Sequence, residues 1–67
     1  MGDRPDRVYR SLTDTEKDQV ALIREKGMEL QLVLEDLESS TGSSKELSEA
    51  RTRLDEAVMW ATRHVGR

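Results

Sequence analysis

The sequence predicts an all-α fold: a short N-terminal arm or helix, then an antiparallel two-helix hairpin that assembles into a homo-oligomer. Three observations carry this. Two segments repeat apolar residues at helical steps of three and four, each opens on a capping pattern, and a short Ser/Gly loop joins them. The 67 residues have room for a single small domain. A lone core of that size rarely supplies more than ~3–5 kcal/mol, so such domains rely on a staple or on partner chains. The chain has no Cys and one His, which leaves no disulfide, no thiolate metal site and no His cluster within one copy. Association with other copies is the route that remains.

Met1 to Leu12 reads as the arm, residues 1–12. Pro5 suits the first turn of a helix, where its missing N–H is no loss, so Pro5 to Arg10 is placed in one or two turns.

Residues 13–38 are the clearest helix. Thr13 and Glu16 have capping-box spacing, and Asp14, Glu16 and Asp18 put negative charge at the positive end of the helix dipole. Val20, Ile23, Gly27, Leu30, Leu34 and Leu37 follow as a heptad seam. Leu22, Met28, Leu32 and Val33 lie off it, which is more apolar surface than one neighbouring helix covers. Composition makes 39–43 a loop. Ser43 and Glu46 repeat the capping-box spacing, so a second helix is placed at 44–65. Its seam, Leu47, Ala50, Leu54, Ala57 and Ala61, is rich in alanine and admits a close backbone, with Val58 and Val65 beside it. Helices of comparable length and a short loop favour antiparallel packing. One hairpin cannot bury both seams and the off-seam Leu, Val and Met residues within itself. The surplus asks for other copies.

Charge bounds the function. The net charge is −3, with 37% charged residues, which argues against a duplex DNA or RNA binder. Positive charge gathers at the two ends, at Arg4, Arg7 and Arg10 and at Arg63, His64 and Arg67, while the first long helix is acidic. No apolar run is long enough to span a membrane and no apolar signal core is present, so the expectation is a soluble cytosolic protein that neither spans membranes nor enters secretion, with no membrane partner.

Enzymatic chemistry is not expected. The sole His lies near the C-terminus with no evident nucleophile to activate, and adjacent carboxylates such as Asp55 and Glu56 point to different helix faces. The isolated glycines form no phosphate loop, and no cofactor is called for. Binding chemistry is better represented. Gly27 stands inside a helix, where it costs about 1 kcal/mol relative to Ala. Either a close helix crossing or a ligand lying on the bare backbone would offset that, with Arg24 and Lys26 near by. Tyr9 is flanked by Arg7 and Arg10. It either anchors the arm on the hairpin or stacks on a nucleobase while the guanidiniums meet phosphate. Trp60 reads as a core or interface residue rather than a ligand platform. Arg63 and Arg67 share a face near a helix C-terminus, which suits the dipole and also an anion pocket shared between copies.

Three blocks carry a family resemblance: Tyr9-Arg10-Ser11-Leu12-Thr13, Ile23-Arg24-Glu25-Lys26-Gly27-Met28-Glu29-Leu30, and Leu54-Asp55-Glu56-Ala57-Val58-Met59-Trp60-Ala61-Thr62-Arg63. In this order they resemble the small phage anti-CBASS proteins that sequester cyclic oligonucleotides. The resemblance implies a homohexamer of helical protomers in the cytoplasm of an infected bacterium. It implies binding, without cleavage, of cyclic dinucleotides and in some members of cyclic trinucleotides, which keeps these messengers from activating death effectors. Carried over residue by residue, it places base stacking at Tyr9, with Arg10 beside it, phosphate binding at Arg24 or Lys26, and a trinucleotide contact at Arg63. The family pattern often has Lys directly after the Ile of the first helix; this chain has Arg24 there and Lys26 two residues later. Adjacency to Gly27 decides for Lys26 as the expected phosphate contact, although the family block favours the position of Arg24.

Two other readings fit the pattern. A structural or adaptor hairpin would engage a different protein through its seams, and a small regulator would touch nucleic acid through its arm. Sizing and a salt-dependent duplex shift separate them from the sponge reading.

Overall fold

A computed structural model describes residues 11–67, and these form a two-helix hairpin with no strand among them. The expectations for the arm up to residue 10, including the turn after Pro5 and the roles of Tyr9 and Arg10, lie outside the described residues.

Helix α1 spans Asp14–Thr41. Its start is a reciprocal capping box: Glu16 N–H donates to Thr13 Oγ1 at 3.1 Å, and Thr13 N–H donates to Glu16 Oε1 at 2.9 Å. The helix ends three residues later than composition suggests. Ser40 Oγ donates to Asp36 O at 2.9 Å and Thr41 Oγ1 to Leu37 O at 2.7 Å, so these hydroxyls bond back to the preceding turn instead of breaking it. Gly42 then stops the helix with φ 92°, and its N–H donates to Glu38 O at 2.9 Å.

Helix α2 spans Lys45–Gly66. Its cap is Ser44, which accepts from Leu47 N–H at 3.0 Å. The third helical residue is therefore Leu47, which has no side-chain acceptor, and the expected reciprocal pair with Glu46 does not form. Ser43 Oγ instead donates to Glu38 Oε2 at 2.7 Å and ties the loop back to α1.

The helices run antiparallel: Glu38 meets Arg51, Gln31 meets Asp55, and Gly27 meets Val58. Gly27 fixes how close they come. A Cβ on it would lie 2.6 Å from Val58 Cγ2, a distance no real side chain tolerates, so the glycine hydrogen is what lets α2 approach here.

The contact side differs from the seam read in the sequence. Val20, Gly27 and Leu34 are buried on α1, with Ile23, Gln31 and Glu38 half-buried beside them. On α2 the half-buried side chains are Leu47, Arg51, Leu54, Val58, Ala61, Thr62 and Val65. Leu30, Leu37, Ala50 and Ala57 were expected inside and stand exposed. The close approach of Val58 to Gly27 turns both helices so that Gln31, Glu38 and Arg51 enter the contact, where hydrogen bonds satisfy them.

The core is correspondingly small. Among the described residues Val20 and Leu34 are the buried apolar side chains, while Leu22, Met28, Leu30, Leu32, Val33, Leu37, Met59 and Trp60 are exposed. No helix among the described residues is long and apolar enough to cross a membrane.

Candidate ligand-binding surface

The hairpin presents two flanks divided by the Gly27–Val58 contact. On one, Ile23, Lys26 and Leu30 of α1 face Ala57 and Ala61 of α2 across a shallow groove floored by Gly27, Leu54 and Val58. This apolar strip continues towards the loop through Leu34, Leu37, Leu47 and Ala50. On the other flank, Arg24, Met28 and Gln31 face Asp55 across the same floor. That flank runs on into a polar hollow lined by Glu38, Ser44, Arg51 and Asp55.

Arg24 and Lys26 are thus separated onto opposite flanks, as residues two apart on a helix must be. Lys26 Nζ lies 3.4 Å from Glu29 Oε1, an exposed pair of the kind that contributes ~0–1 kcal/mol. Arg24 has no ion pair or hydrogen bond among the described residues. On the same flank Gln31 Nε2 donates to Asp55 Oδ1 at 2.8 Å, which engages the carboxylate that lines the groove with Arg24.

The open end of the hairpin gathers basic groups. Arg63 and His64 lie in the last turn of α2. His64 and Arg67 line a hollow with Glu16, Gln19 and Leu22 of α1. Leu12 closes this end against Gly66, where an added Cβ would sit 3.7 Å from Leu12 Cδ2. The described chain therefore enters the hairpin beside the end of α2. The guanidinium carbon of Arg63 stands 5.1 Å from the centroid of the Trp60 ring. Trp60 itself is not core: 60% of its surface is open.

Sequence reasoning missed the clamp at the loop end. Arg51 Nη1 donates to Glu38 Oε1 at 3.0 Å, with Glu35 at 3.9 Å. Nothing local signals it, because partners thirteen and sixteen residues apart meet only once the chain has turned. Among the described residues no cluster of three or more His, Asp or Glu side chains is placed to hold a metal ion.

A family model described as the Acb2/Tad1 hairpin domain matches residues 1–66. The chain belongs to the Acb2/Tad1 hairpin family. No match was found among curated proteins or among solved structures. The Acb2/Tad1 family is that of the anti-CBASS cyclic-nucleotide sponges, the family to which the three sequence blocks point. Its members are binding proteins rather than enzymes, and membership implies sequestration of cyclic oligonucleotides. The matched span runs from residue 1 through both helices of the hairpin.

Proposed function

We propose that the protein is a homo-oligomeric sponge that binds cyclic dinucleotides, and cyclic trinucleotides at a second place, without cleaving them. It thereby blocks CBASS signalling in the cytoplasm of the infected bacterium. The observation that carries this is the family match over residues 1–66. The shape of the hairpin supports it. The described residues of one chain offer shallow, open grooves, whereas a pocket that encloses a small anion needs walls on several sides. A second chain on the apolar flank supplies them and covers Leu30 and Leu37. The number of chains is proposed as six, on the family resemblance.

Within this reading Tyr9 stacks on a base, with Arg10 near the phosphates. The first-helix phosphate contact is assigned to Arg24. Adjacency to a bare backbone at Gly27 is what favours Lys26 in the sequence, and that glycine is occupied by the approach of Val58. Arg24 has no partner among the described residues and carries a planar fork suited to phosphate oxygens. Arg63 is assigned to the trinucleotide site.

Calorimetric titration with 3′,3′-linked cyclic dinucleotides tests the proposal, followed by denaturation and chromatography of the released ligand. Saturable binding with intact ligand is expected. Release of linear dinucleotide would mean cleavage, and absence of heat with every cyclic oligonucleotide would refute the sponge. In the same titration Tyr9→Ala is expected to lose ~1–3 kcal/mol of binding, the worth of one stacked base, with the oligomer unchanged. Unchanged affinity would leave Tyr9 as an anchor of the arm.

A further inference from the structure

Trp60 is used neither by the contact between the helices nor by the apolar flank. It is the sole tryptophan of the chain, and it is 60% exposed. It follows Ala57 by three residues, which places it about 60° further round α2 and away from α1. The side chains around it are charged. Arg53 is engaged by Glu49 at 3.5 Å and Glu56 at 3.1 Å. Arg63 differs: it stands over the Trp60 ring at 5.1 Å, and no carboxylate pairs with it among the described residues. Two ordinary placements are therefore both refused at one spot. A large aromatic ring remains in water on a charged face, and the guanidinium beside it has no acid. Dipole complementarity accounts for a cation in the last turn of α2, but not for the indole.

We propose that Trp60 and Arg63 together form a nucleotide platform on the outer side of α2, where a base of a cyclic oligonucleotide stacks on the indole and Arg63 takes its phosphate. The proposal rests on the sponge reading and adds a stacking residue to it, on a different helix from Arg24 and distant in sequence from Tyr9. Base stacking on an aromatic ring is stronger than an exposed cation–π contact, so an arriving base displaces the guanidinium from the ring without net loss. The displaced guanidinium stays within reach and meets phosphate oxygens through two parallel N–H donors. An aromatic face with a mobile cation beside it serves any base, so this platform tolerates different base identities while requiring a phosphate.

Because Trp60 is the sole tryptophan, its emission reports the site directly. Wild-type protein and Tyr9→Ala are titrated with a 3′,3′-cyclic dinucleotide and with cyclic triadenylate, recording tryptophan emission beside calorimetric heat. Quenching that saturates together with the heat is expected for at least one of the two ligands, and it persists in Tyr9→Ala. Trp60→Ala weakens that ligand roughly tenfold or more, while Trp60→Phe keeps most of the affinity and the same assembled mass. Heat without any change in emission, together with unchanged affinity in Trp60→Ala, overturns the platform and leaves the sponge reading standing. Emission that responds to protein dilution but not to ligand puts Trp60 between copies and also overturns it. Absence of heat with either ligand removes the sponge reading, and the platform with it.

Discussion

The two flanks of the hairpin are finished in opposite ways. The flank of Arg24 is closed by polar bridges within the chain: Gln31 to Asp55 at 2.8 Å, and Arg51 to Glu38 at 3.0 Å. The flank of Lys26 carries Leu30 and Leu37 with Ala50 and Ala57, all exposed. One flank ties its facing polar groups to each other, leaving Arg24 without a partner among the described residues and Met28 exposed. The other leaves apolar surface in water, which another chain would cover with a gain of about 25 cal/mol per Å² of apolar area buried. The difference teaches that a heptad seam in a short chain need not be used whole by its own hairpin. Here Val20, Gly27, Leu34 and Leu54 of the seam close the hairpin together with polar residues, while Leu30, Leu37, Ala50 and Ala57 of the same repeat stay exposed.

The largest effect is expected from charging the apolar flank. Leu30→Glu combined with Leu37→Glu should reduce the assembly to single chains by light scattering, because carboxylates cannot be desolvated at an apolar contact. An unchanged mass would move the interface to the other flank. Next comes the phosphate contact proposed for the polar flank. Arg24→Ala should lose ~1.5–3 kcal/mol of cyclic dinucleotide affinity, the worth of a charge-assisted contact, while Lys26→Ala loses little. Loss in Lys26→Ala alone would reverse the assignment and put the ligand on the apolar side.

Between the flanks, Gly27→Ala should lower stability by about 1–2 kcal/mol, since overpacking outweighs the gain in helix propensity. Adding Val58→Ala should restore most of this in a thermal melt, because the clash is with Val58 Cγ2. A stabilised Gly27→Ala would mean that the helices cross less closely than described. The smallest effect belongs to the polar closure. Gln31→Ala should cost about 0.5–1.5 kcal/mol of hairpin stability, the worth of one hydrogen bond. Its assembled mass should not change, and a change would join the two flanks functionally.

Much of this fold is legible locally and little of its rotation is. The helix starts are written in short-range chemistry, Thr13 with Glu16 and Ser44 with the backbone of Leu47. The end of α1 is less legible, because Ser40 and Thr41 belong to loops by composition yet bond back to the preceding turn. The choice of facing residues is not local at all. It depends on Gly27 meeting Val58 and on Arg51 reaching Glu38, neither of which any periodicity predicts. The candidate site divides in the same way. The opposition of Arg24 and Lys26 and the neighbourhood of Trp60 and Arg63 both follow from helix spacing, whereas the exposure of Trp60 emerges only in three dimensions.

Native mass spectrometry of the protein with a 3′,3′-cyclic dinucleotide tests the central claim, that the hairpin becomes a sponge by assembling on its apolar flank. The account predicts a multiple of the 7.7 kDa chain carrying intact ligand, and loss of both assembly and ligand in the Leu30→Glu, Leu37→Glu variant. A single chain that binds the intact ligand, or an assembly that binds none, would contradict it.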